Sequence, residues 1–309
     1  MWTTLVVRYT LAENLLFCNM YMEHASSPLH FCKIFLIFYC KGANMNRYFA
    51  SAAFVAAIAF SVVFSACSEK KDSTLNQDQS FENVKNAGVL VMGHMGDFPP
   101  MVFTDKDGNF VGFDVDLANE VCARLGVKLE LRLISWSDKE KALYDGNIDC
   151  VWNGMSVDEK RASDMNLSDP YLTNRLVFMV KSKSYNSLDS LKGKKIGVQH
   201  ASTAWSMLEQ SEMKKDMKEI VLFETLSLAL EALVQDSVDA VFGDEVSAKY
   251  WNVLNNKDFV ALEDGLHNEF YAVGFRKADK ALRDTINAVL TSMKKDGKFV
   301  DITVKWFGK

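Results

Sequence analysis

The first segment with candidate chemistry places an arginine five positions after a serine. Ser156 opens the run Ser156-Val157-Asp158-Glu159, and Arg161 follows closely. A planar guanidinium donates two parallel hydrogen bonds to the two oxygens of a carboxylate. A serine that caps a short helix adds hydroxyl and amide donors to the same anion. The segment therefore predicts an anion site, although an ordinary surface arginine would give the same pattern.

A second candidate is the loop at residues 199–203 (QHAST), which follows a predicted strand. We expect a helix to begin near Ala204. The first N–H groups of a helix have no partner within it and suit a negative charge. Ser202 and Thr203 are therefore candidate anion-binding residues, and a plain helix cap explains them equally well.

The third candidate, Asp244, ends an apolar run and belongs to an internal repeat. Residues 143–154 (LYDGNIDCVWNG) align with residues 233–244 (LVQDSVDAVFGD), 90 positions later. This period suits a lobe rather than a solenoid unit. Two such α/β lobes would bring both strand ends to one crevice, with Asp244 corresponding to Gly154. Chance similarity and an ordinary turn aspartate are the alternatives.

Strands and helices alternate from residue 89 onward. The pattern predicts a strand at 89–93, a helix at 113–125 ended by Gly126, a strand at 127–133, a helix from a capping box at 137–140 to residue 145, and a strand at 148–152. This order indicates α/β architecture with a mainly parallel sheet and helices on its faces.

The composition is globular and disfavours nucleic acid as a partner. The 309 residues are 49% hydrophobic and 24% charged, with a formal net charge of −5. Phosphate binding needs a clustered cationic surface, which the sequence lacks. The histidines are isolated, and neither a Ser/His/Asp arrangement nor a metal-ligand cluster is readable. We therefore predict no catalytic residue, no cofactor and no metal.

The first 66 residues differ from the rest and predict export. A cationic start at residues 45–47 (MNR) precedes an uncharged stretch that ends in small residues before Cys67. This is the order of a secretory signal, and it resembles the lipobox of bacterial lipoproteins, with Phe64 where leucine is usual. We interpret residues 45–66 as a lipoprotein signal and Cys67 as lipidated. An uncleaved anchor and plain secretion are the alternatives.

If residues 45–66 are a signal, the segments before and after it can be interpreted as well. Residues 1–44 would then be a non-native upstream extension, with a real additional hydrophobic segment as the alternative, and the polar residues 67–80 would be a flexible tether. The protein would then be lipid-anchored at the cell envelope, periplasmic or on the outer face of the cytoplasmic membrane. Cys122 and Cys150 are expected to be buried free thiols, and their pairing stays open.

Several motifs follow one another along the rest of the chain. They include LVMG at 90–93, FPPM at 98–101, GFDVDLA at 112–118, GNID at 146–149, NGMS at 153–156, LSDPY at 167–171, LKGKKIGV at 191–198, VDAV at 238–241, GFRK at 274–277 and KWFG at 305–308. Together they resemble the solute-binding proteins of ABC transporters, of the polar amino-acid-binding family (family 3 type). The resemblance covers nearly all of residues 81–309.

The resemblance implies two Rossmann-like α/β lobes joined by a two-strand hinge, the type II periplasmic binding protein or Venus-flytrap fold. Lobe 1 would be residues 81–174 plus 270–309, and lobe 2 residues 175–269. The crossing strands would lie near 173–180 and 269–275. Such lobes close on a ligand by hinge motion.

The resemblance also implies roles for single residues. The ligand carboxylate would bind Arg161, Ser156 and the backbone amide of Thr203. The ligand ammonium would bind Asp244 and a carbonyl of Asn153 or Gly154. Phe98 and Trp136 would be the aromatic walls around the ligand side chain.

Position 95 bears on selectivity. Relatives that take Lys, Arg, His or Gln commonly carry aspartate where this chain has Met95, and methionine cannot neutralise a cation. We therefore predict a ligand with an uncharged side chain and weak binding of arginine and lysine. The residues that could tune selection are His94, Trp152, Asn153, Gln199 and His200.

By this resemblance the protein is a monomer that binds a free amino acid between closing lobes and delivers it to an ABC transporter permease, and it is not an enzyme. One alternative is a periplasmic dehydratase of the same fold, acting on prephenate or arogenate. That activity needs a proton donor, for which Glu245 is the candidate, although we expect it to face solvent. Another alternative is the sensor lobe of a receptor or of a cell-wall lytic enzyme.

Overall fold

The computed structural model describes residues 78–181, 185–264 and 267–308. The predicted extension, the signal, Cys67 and most of the tether lie outside these described residues. Within them, none of the helices combines the length and the apolar character that a membrane span requires.

The described chain alternates strands and helices. In chain order the elements are α1 (Ser80–Ala87), β1 (Val89–His94), β2 (Asp97–Phe98), β3 (Val102–Thr104), β4 (Phe110–Val111), α2 (Phe113–Leu125), β5 (Lys128–Leu133), α3 (Lys139–Tyr144), β6 (Cys150–Val151), α4 (Glu159–Asp164), β7 (Asn166–Leu167), β8 (Leu172–Val180), β9 (Lys195–Gln199), α5 (Thr203–Gln210), β10 (Glu219–Phe223), α6 (Leu226–Val234), β11 (Ala240–Asp244), α7 (Glu245–Leu254), β12 (Val260–Ala261), β13 (His267–Tyr271), β14 (Gly274–Phe275), α8 (Lys280–Asp296) and α9 (Lys298–Phe307). Short 3₁₀ helices lie at Trp136–Asp138, Leu188–Leu191 and Glu212–Asp216.

Two main sheets form the framework. The first has the strand order β5-β1-β6-β14-β7, and the second has the order β10-β9-β11-β8-β12, with β13 also paired to β8. In both sheets the first three strands are parallel, and the strand beside them runs antiparallel. The strands β2, β3 and β4 form a small separate sheet.

The chain passes between the main sheets twice. Strand β7 belongs to the first sheet and β8 to the second, and later β13 belongs to the second and β14 to the first. The described chain is therefore two α/β lobes joined by two crossings, which is the architecture that the sequence predicts. We retain the lobe bounds 81–174 plus 270–309 and 175–269 as a proposal.

Helix α2 shows how the sequence pattern forms this core. Phe113, Leu117 and Val121 recur at helical spacing and are fully buried in one cluster with residues of β1. Gly126 ends the helix in the left-handed region at φ 71°, which a residue without a Cβ adopts at low cost. Both predictions for this segment are confirmed. Cys122 and Cys150 are buried free thiols, also as predicted.

Two local predictions are wrong. The capping box does not form, because residues 136–138 adopt a 3₁₀ turn and the hydroxyl of Ser137 contacts that of Ser135. Helix α3 therefore begins at Lys139 without a side-chain cap. The strand predicted at 148–152 shortens to Cys150–Val151, because β1 pairs with it at only two positions and β14 at one.

Candidate ligand-binding site

A cavity of about 300 Å³ lies between the lobes. The residues around it are Met95, Phe98, Trp136, Asn153, Gly154, Ser156, Arg161, Leu176, Gln199, Ser202, Thr203, Ala204 and Asp244. All eleven residues predicted from the sequence as the ligand site therefore surround one cavity, and Leu176 and Ala204 join them.

Arg161 brings a buried positive charge to the cavity from lobe 1. Its side chain is 5% exposed, and Nη1 donates to the Ser156 carbonyl at 2.7 Å. Nε lies 3.4 Å from Oδ2 of Asp158, and the guanidinium lies 5.7 Å from the centre of the Trp136 ring. Burial lowers the pKa of the guanidinium, and the Asp158 carboxylate opposes that shift. The N–H groups of the Arg161 guanidinium that these contacts do not use can donate to an anion.

The predicted cap at Ser156 is wrong. Helix α4 is capped by Asp158, whose Oδ1 accepts from the backbone N–H of Arg161 at 2.7 Å. Ser156 instead forms a β-bridge with Tyr271, and the next N–H, of Val157, donates to the Phe270 carbonyl at 2.8 Å. Because this bridge holds the backbone extended, the helix cannot begin before residue 158. Ser156 still reaches the cavity, from an extended segment rather than from a cap.

The loop at 199–203 presents a helix N-terminus from lobe 2. Ser202 caps α5, since its Oγ accepts from the Trp205 N–H at 3.0 Å. The helix begins at Thr203, one residue before the predicted start. Ala201 has a φ of 56°, in the left-handed region where glycine is usual. Oγ1 of Thr203 donates to Oδ2 of Asp158 at 3.1 Å, which joins the two lobes at the edge of the cavity.

Asp244 brings a carboxyl group from the end of β11. Its Oδ1 accepts from Nδ2 of Asn174 at 2.8 Å and from the hydroxyl of Tyr271. Burial raises the pKa of Asp244, whereas its hydrogen bonds with Glu269 and Tyr271 and the charge of Arg161 act in the opposite direction. Asp244 and Arg161 are thus opposite charges that approach one cavity from different lobes.

Gly154 allows a close approach of backbone to aromatic wall. Its φ is 55°, and a Cβ at this position would lie 2.7 Å from the Phe98 ring. The N–H of Gly154 donates to Oδ2 of Asp114 at 2.7 Å, and the hydroxyl of Tyr171 donates to the same oxygen at 3.0 Å. Burial raises the pKa of Asp114 to about 7. This buried carboxyl group fixes the orientation of the 153–154 peptide at the cavity.

Aromatic and neutral side chains surround the rest of the cavity. Phe98 and Trp136 are buried, at 4% and 8% exposure. Nε2 of Gln199 donates to the sulfur of Met95 at 3.4 Å, so these two residues meet across the cleft. No carboxylate comes from this part of the lining.

Three residues expected to tune selection are absent from the described lining. His94 is buried against Phe110, with 4.3 Å between ring centres, and Trp152 packs near Tyr171. Both side chains are fully buried in lobe 1 and do not reach the cavity. The His200 ring packs 5.0 Å from the Trp205 ring.

Glu245 is expected from the sequence to face solvent, but it is buried, at 8% exposure. Arg175 donates to both of its oxygens at 2.6 Å, and Lys249 lies 2.7 Å away. These ion pairs hold the side chain off the cavity. Across the described ranges, no three His, Cys, Asp or Glu side chains are grouped to hold a metal.

Sequence reasoning missed Asn174 and Glu269, the two groups behind Asp244. They face each other across the β8–β13 pairing, and both are buried. In the sequence, Glu269 is recognisable only as an isolated acidic residue in a predicted crossing strand. Its meaning depends on the strand register, which periodicity does not provide.

Comparisons with known proteins agree with this architecture. The family model of the bacterial extracellular solute-binding proteins, family 3, matches residues 90–309. The chain is 30% identical over 247 residues to the L-cystine-binding protein TcyA of Bacillus subtilis, covering 78% of this chain and 89% of that protein.

Two crystal structures are similar along most of the described chain. An ABC uptake transporter substrate-binding protein from Streptococcus pneumoniae with bound histidine is 33% identical with a TM-score of 0.72, and the match covers 75% of this chain and 97% of that one. An ancestral amino-acid-binding protein, a precursor of cyclohexadienyl dehydratase, is 30% identical with a TM-score of 0.68, and the match covers 74% of this chain and 99% of that one.

The two solved structures share the overall fold of the described chain, with TM-scores of 0.72 and 0.68. The predicted type II periplasmic binding protein fold is confirmed. The match of the family model to more than half of the sequence decides the family. The chain belongs to the bacterial extracellular solute-binding proteins, family 3.

Proposed function

We propose that this protein binds a free α-amino acid between its lobes and delivers it to an ABC transporter permease. The observation that carries the proposal is the pair of buried, opposite charges, Arg161 and Asp244, at one cavity. A zwitterion brings a carboxylate and an ammonium on one carbon. Burying both is unfavourable unless each meets a compensating group.

The carboxylate end of the ligand is assigned to Arg161, Ser156 and the N-terminus of α5 at Thr203. Arg161 supplies charge and a planar fork, and the helix N-terminus supplies N–H groups with a partial positive charge. The ammonium end is assigned to Asp244 and to a carbonyl of Asn153 or Gly154. The charges match only if the ligand spans both lobes.

The side-chain end is assigned to the neutral part of the lining, where Met95, Leu176 and Gln199 face Phe98 and Trp136. With no carboxylate there, a cationic side chain would lose its hydration without a counter-charge. We therefore propose a ligand with an uncharged side chain. The named relatives bind cystine and histidine, so the family tolerates varied side chains.

Transport follows from closure. A ligand that contacts both lobes binds the closed arrangement more tightly and shifts the population toward it. The closed arrangement already has direct lobe-to-lobe contacts, at Thr203–Asp158 and at Ser227, whose Oγ donates to Oδ1 of Asp97 at 2.8 Å. The closed surface is then the form that docks on the permease.

A calorimetric screen of the twenty amino acids and cystine tests the binding proposal. We expect one or a few neutral amino acids to bind with the highest affinity, and arginine and lysine to bind weakly. Arginine or lysine as the tightest ligand would contradict the assigned selectivity. Heats of dilution alone for every compound would overturn the binding function.

The dehydratase alternative has one supporting observation, the similarity to an ancestral binding protein described as a dehydratase precursor. Its candidate proton donor, Glu245, is held by Arg175 and Lys249 away from the cavity. We therefore propose a binding protein and not an enzyme. Formation of phenylpyruvate from prephenate by the purified protein would decide for the alternative.

We further propose that the protein is exported as a monomer and anchored through lipidated Cys67. The signal-like residues 45–66 support this, as does the polar stretch that follows. Replacing Cys67 with alanine should move the protein from the membrane fraction to the soluble fraction. Unchanged membrane association in that variant would contradict the anchor.

A further inference from the structure

Two buried carboxyl groups share one amide beside the cavity. Nδ2 of Asn174 donates to Oδ1 of Asp244 at 2.8 Å and to Oε1 of Glu269 at 2.5 Å. The three side chains are between 2% and 7% exposed. Asn174 and Glu269 are register partners in β8 and β13, and Asp244 ends the neighbouring strand β11. The strand pairing therefore holds the two acids together, out of water.

The surroundings do not supply enough positive charge for two carboxylates. The charged or titratable groups that face the pair are Arg161 from lobe 1 and Tyr271 from β13. Among the described residues, no lysine, arginine or histidine forms an ion pair with either acid. Two buried carboxyl groups that share one amide donor do not both ionise, because the two negative charges would repel each other. The pair therefore retains one proton.

Hydrogen bonds indicate which acid holds the proton. Asp244 accepts from Asn174 and from the Tyr271 hydroxyl, and such donors favour the ionised form. Glu269 accepts from Nδ2 of Asn174 and lies beside the side chains of Ser156 and Asp244, and its Oε2 has no hydrogen-bond partner within the described structure. The proton therefore belongs on Glu269. Burial, and then the charge of Asp244, raise the pKa of Glu269 to about 9.

We propose that Glu269 is a positioning residue that holds a proton beside Asp244, and that an ammonium group binding at Asp244 expels this proton to solvent. The inference rests on the proposed function, because the ammonium is that of the bound amino acid. The arriving positive charge favours ionisation of Glu269. Since binding then releases a proton, affinity should rise as the pH increases toward about 9, the pKa of Glu269 in the ligand-free protein.

Calorimetry in paired buffers measures the release. The tightest ligand of the screen is titrated at pH 8 into wild-type protein, in phosphate and in Tris, whose ionisation enthalpies differ. We expect the apparent binding enthalpy to depend on the buffer, corresponding to release of a substantial fraction of one proton. Glu269→Gln keeps the size of the side chain and an N–H donor, so it should bind at pH 7 within about tenfold of wild type but release no proton from this position.

A matched control is Glu245→Gln, which removes the carboxylate next to Asp244 in the sequence. Glu245 does not line the cavity. The control variant should release as many protons as wild type. Ionisation of the ligand ammonium contributes equally to all three proteins, so the difference isolates Glu269. Buffer-independent enthalpy in wild type, or equal release in wild type and Glu269→Gln, would overturn the inference.

A ligand-free measurement separates this inference from the proposed function. Carbon-13 NMR of glutamate-labelled wild-type protein should show one glutamate carboxyl that titrates above pH 7, and Glu269→Gln should lack it. If every glutamate titrates below pH 6, the inference fails even though amino acids bind. If no amino acid binds, the proposed function fails and the release step falls with it.

Discussion

The two lobes contain the same arrangement of strands, but the residue at the end of the corresponding strand differs in chemistry between them. In lobe 1, Oδ2 of Asp149 accepts from the Val91 N–H at 2.9 Å, and the N–H of Asp149 donates to the Val91 carbonyl at 2.8 Å. In lobe 2, Asp239 makes the same two bonds to Lys195, both at 2.8 Å. The strand orders β5-β1-β6 and β10-β9-β11 correspond as well. The repeated aspartate therefore anchors two equivalent strands.

The end of each strand then diverges. In lobe 1 this position is Gly154, whose backbone borders the cavity. The charge of lobe 1 comes from Arg161, which lies further along the chain. Lobe 2 reaches Asp244, where a carboxyl group borders the cavity directly. The comparison shows that one supersecondary unit provides the position, and that a single residue at its end decides which charge faces the ligand.

The shared hydrogen bonds also define which residues correspond. Val91 matches Lys195, so Met95 matches Gln199, and these two residues touch across the cleft. By the same offset, His94 in lobe 1 matches Val198 in lobe 2, and both are fully buried. Lobe 1 thus carries a titratable side chain in its core where lobe 2 carries an apolar one.

The largest expected effect on stability comes from making the two strand ends more alike. Gly154→Ala forces a Cβ toward the Phe98 ring and puts alanine in the left-handed region. We expect the free energy of unfolding to fall by about 2–4 kcal/mol. Urea denaturation measures this, and the control is Gly146→Ala, also left-handed but in open space. Equal losses in both variants would show that the contact with Phe98 does not matter.

The repeated anchor predicts similar losses in both lobes. Asp149→Ala and Asp239→Ala each leave a backbone N–H without its acceptor, at a cost of about 1–3 kcal/mol in the free energy of unfolding. Each aspartate also lies near one cation, Asp149 at 3.6 Å from Arg276 and Asp239 at 3.8 Å from Lys194, so the two losses should be similar in size. A loss confined to one lobe, measured by urea denaturation, would contradict the equivalence of the two anchors.

Acid should weaken lobe 1 through His94. Burial lowers the pKa of His94 to about 4, because the charged imidazolium loses its hydration. The unfolded chain takes up this proton near pH 6.5, whereas the folded chain does not, so stability is full above pH 6.5 and is lost as the pH falls toward 4. The loss should reach roughly 1–3 kcal/mol at pH 4.

His94→Val copies the residue of lobe 2 and tests this directly. It should flatten the fall in the free energy of unfolding between pH 6.5 and 4, measured by urea denaturation at several pH values. His267→Val removes an exposed histidine and serves as the control. A fall of the same size in His94→Val and in wild type would show that other groups cause the acid sensitivity.

The smallest effect is expected at Ala201, which holds a positive φ in the loop before α5. Ala201→Gly removes the strain of that conformation but adds freedom to the unfolded chain, so the free energy of unfolding should change by at most about 1 kcal/mol. Ligand affinity, measured by calorimetry, should stay within a few-fold of wild type. A large loss of affinity would mean that the Ala201 methyl group has a role of its own.

Much of this molecule could be predicted from the sequence because its motifs lie at the ends of strands. Arg161, Asp244 and Thr203 follow recognisable strands or turns, so the order of elements was enough to bring them to one cavity. The cap at Ser156 was wrong because a β-bridge to Tyr271 competes for that backbone. Glu269 was missed because its role comes from pairing with a strand 95 positions earlier in the sequence, at Asn174.

The central claim is that Arg161 receives the ligand carboxylate, and a ligand comparison tests it most directly. Calorimetry should measure the best-binding amino acid and its carboxamide, in wild type and in Arg161→Ala. We predict that wild type strongly prefers the acid, and that Arg161→Ala loses about 3–5 kcal/mol of binding free energy for the acid and most of that preference. An undiminished preference for the acid in Arg161→Ala would place the carboxylate elsewhere and contradict the account.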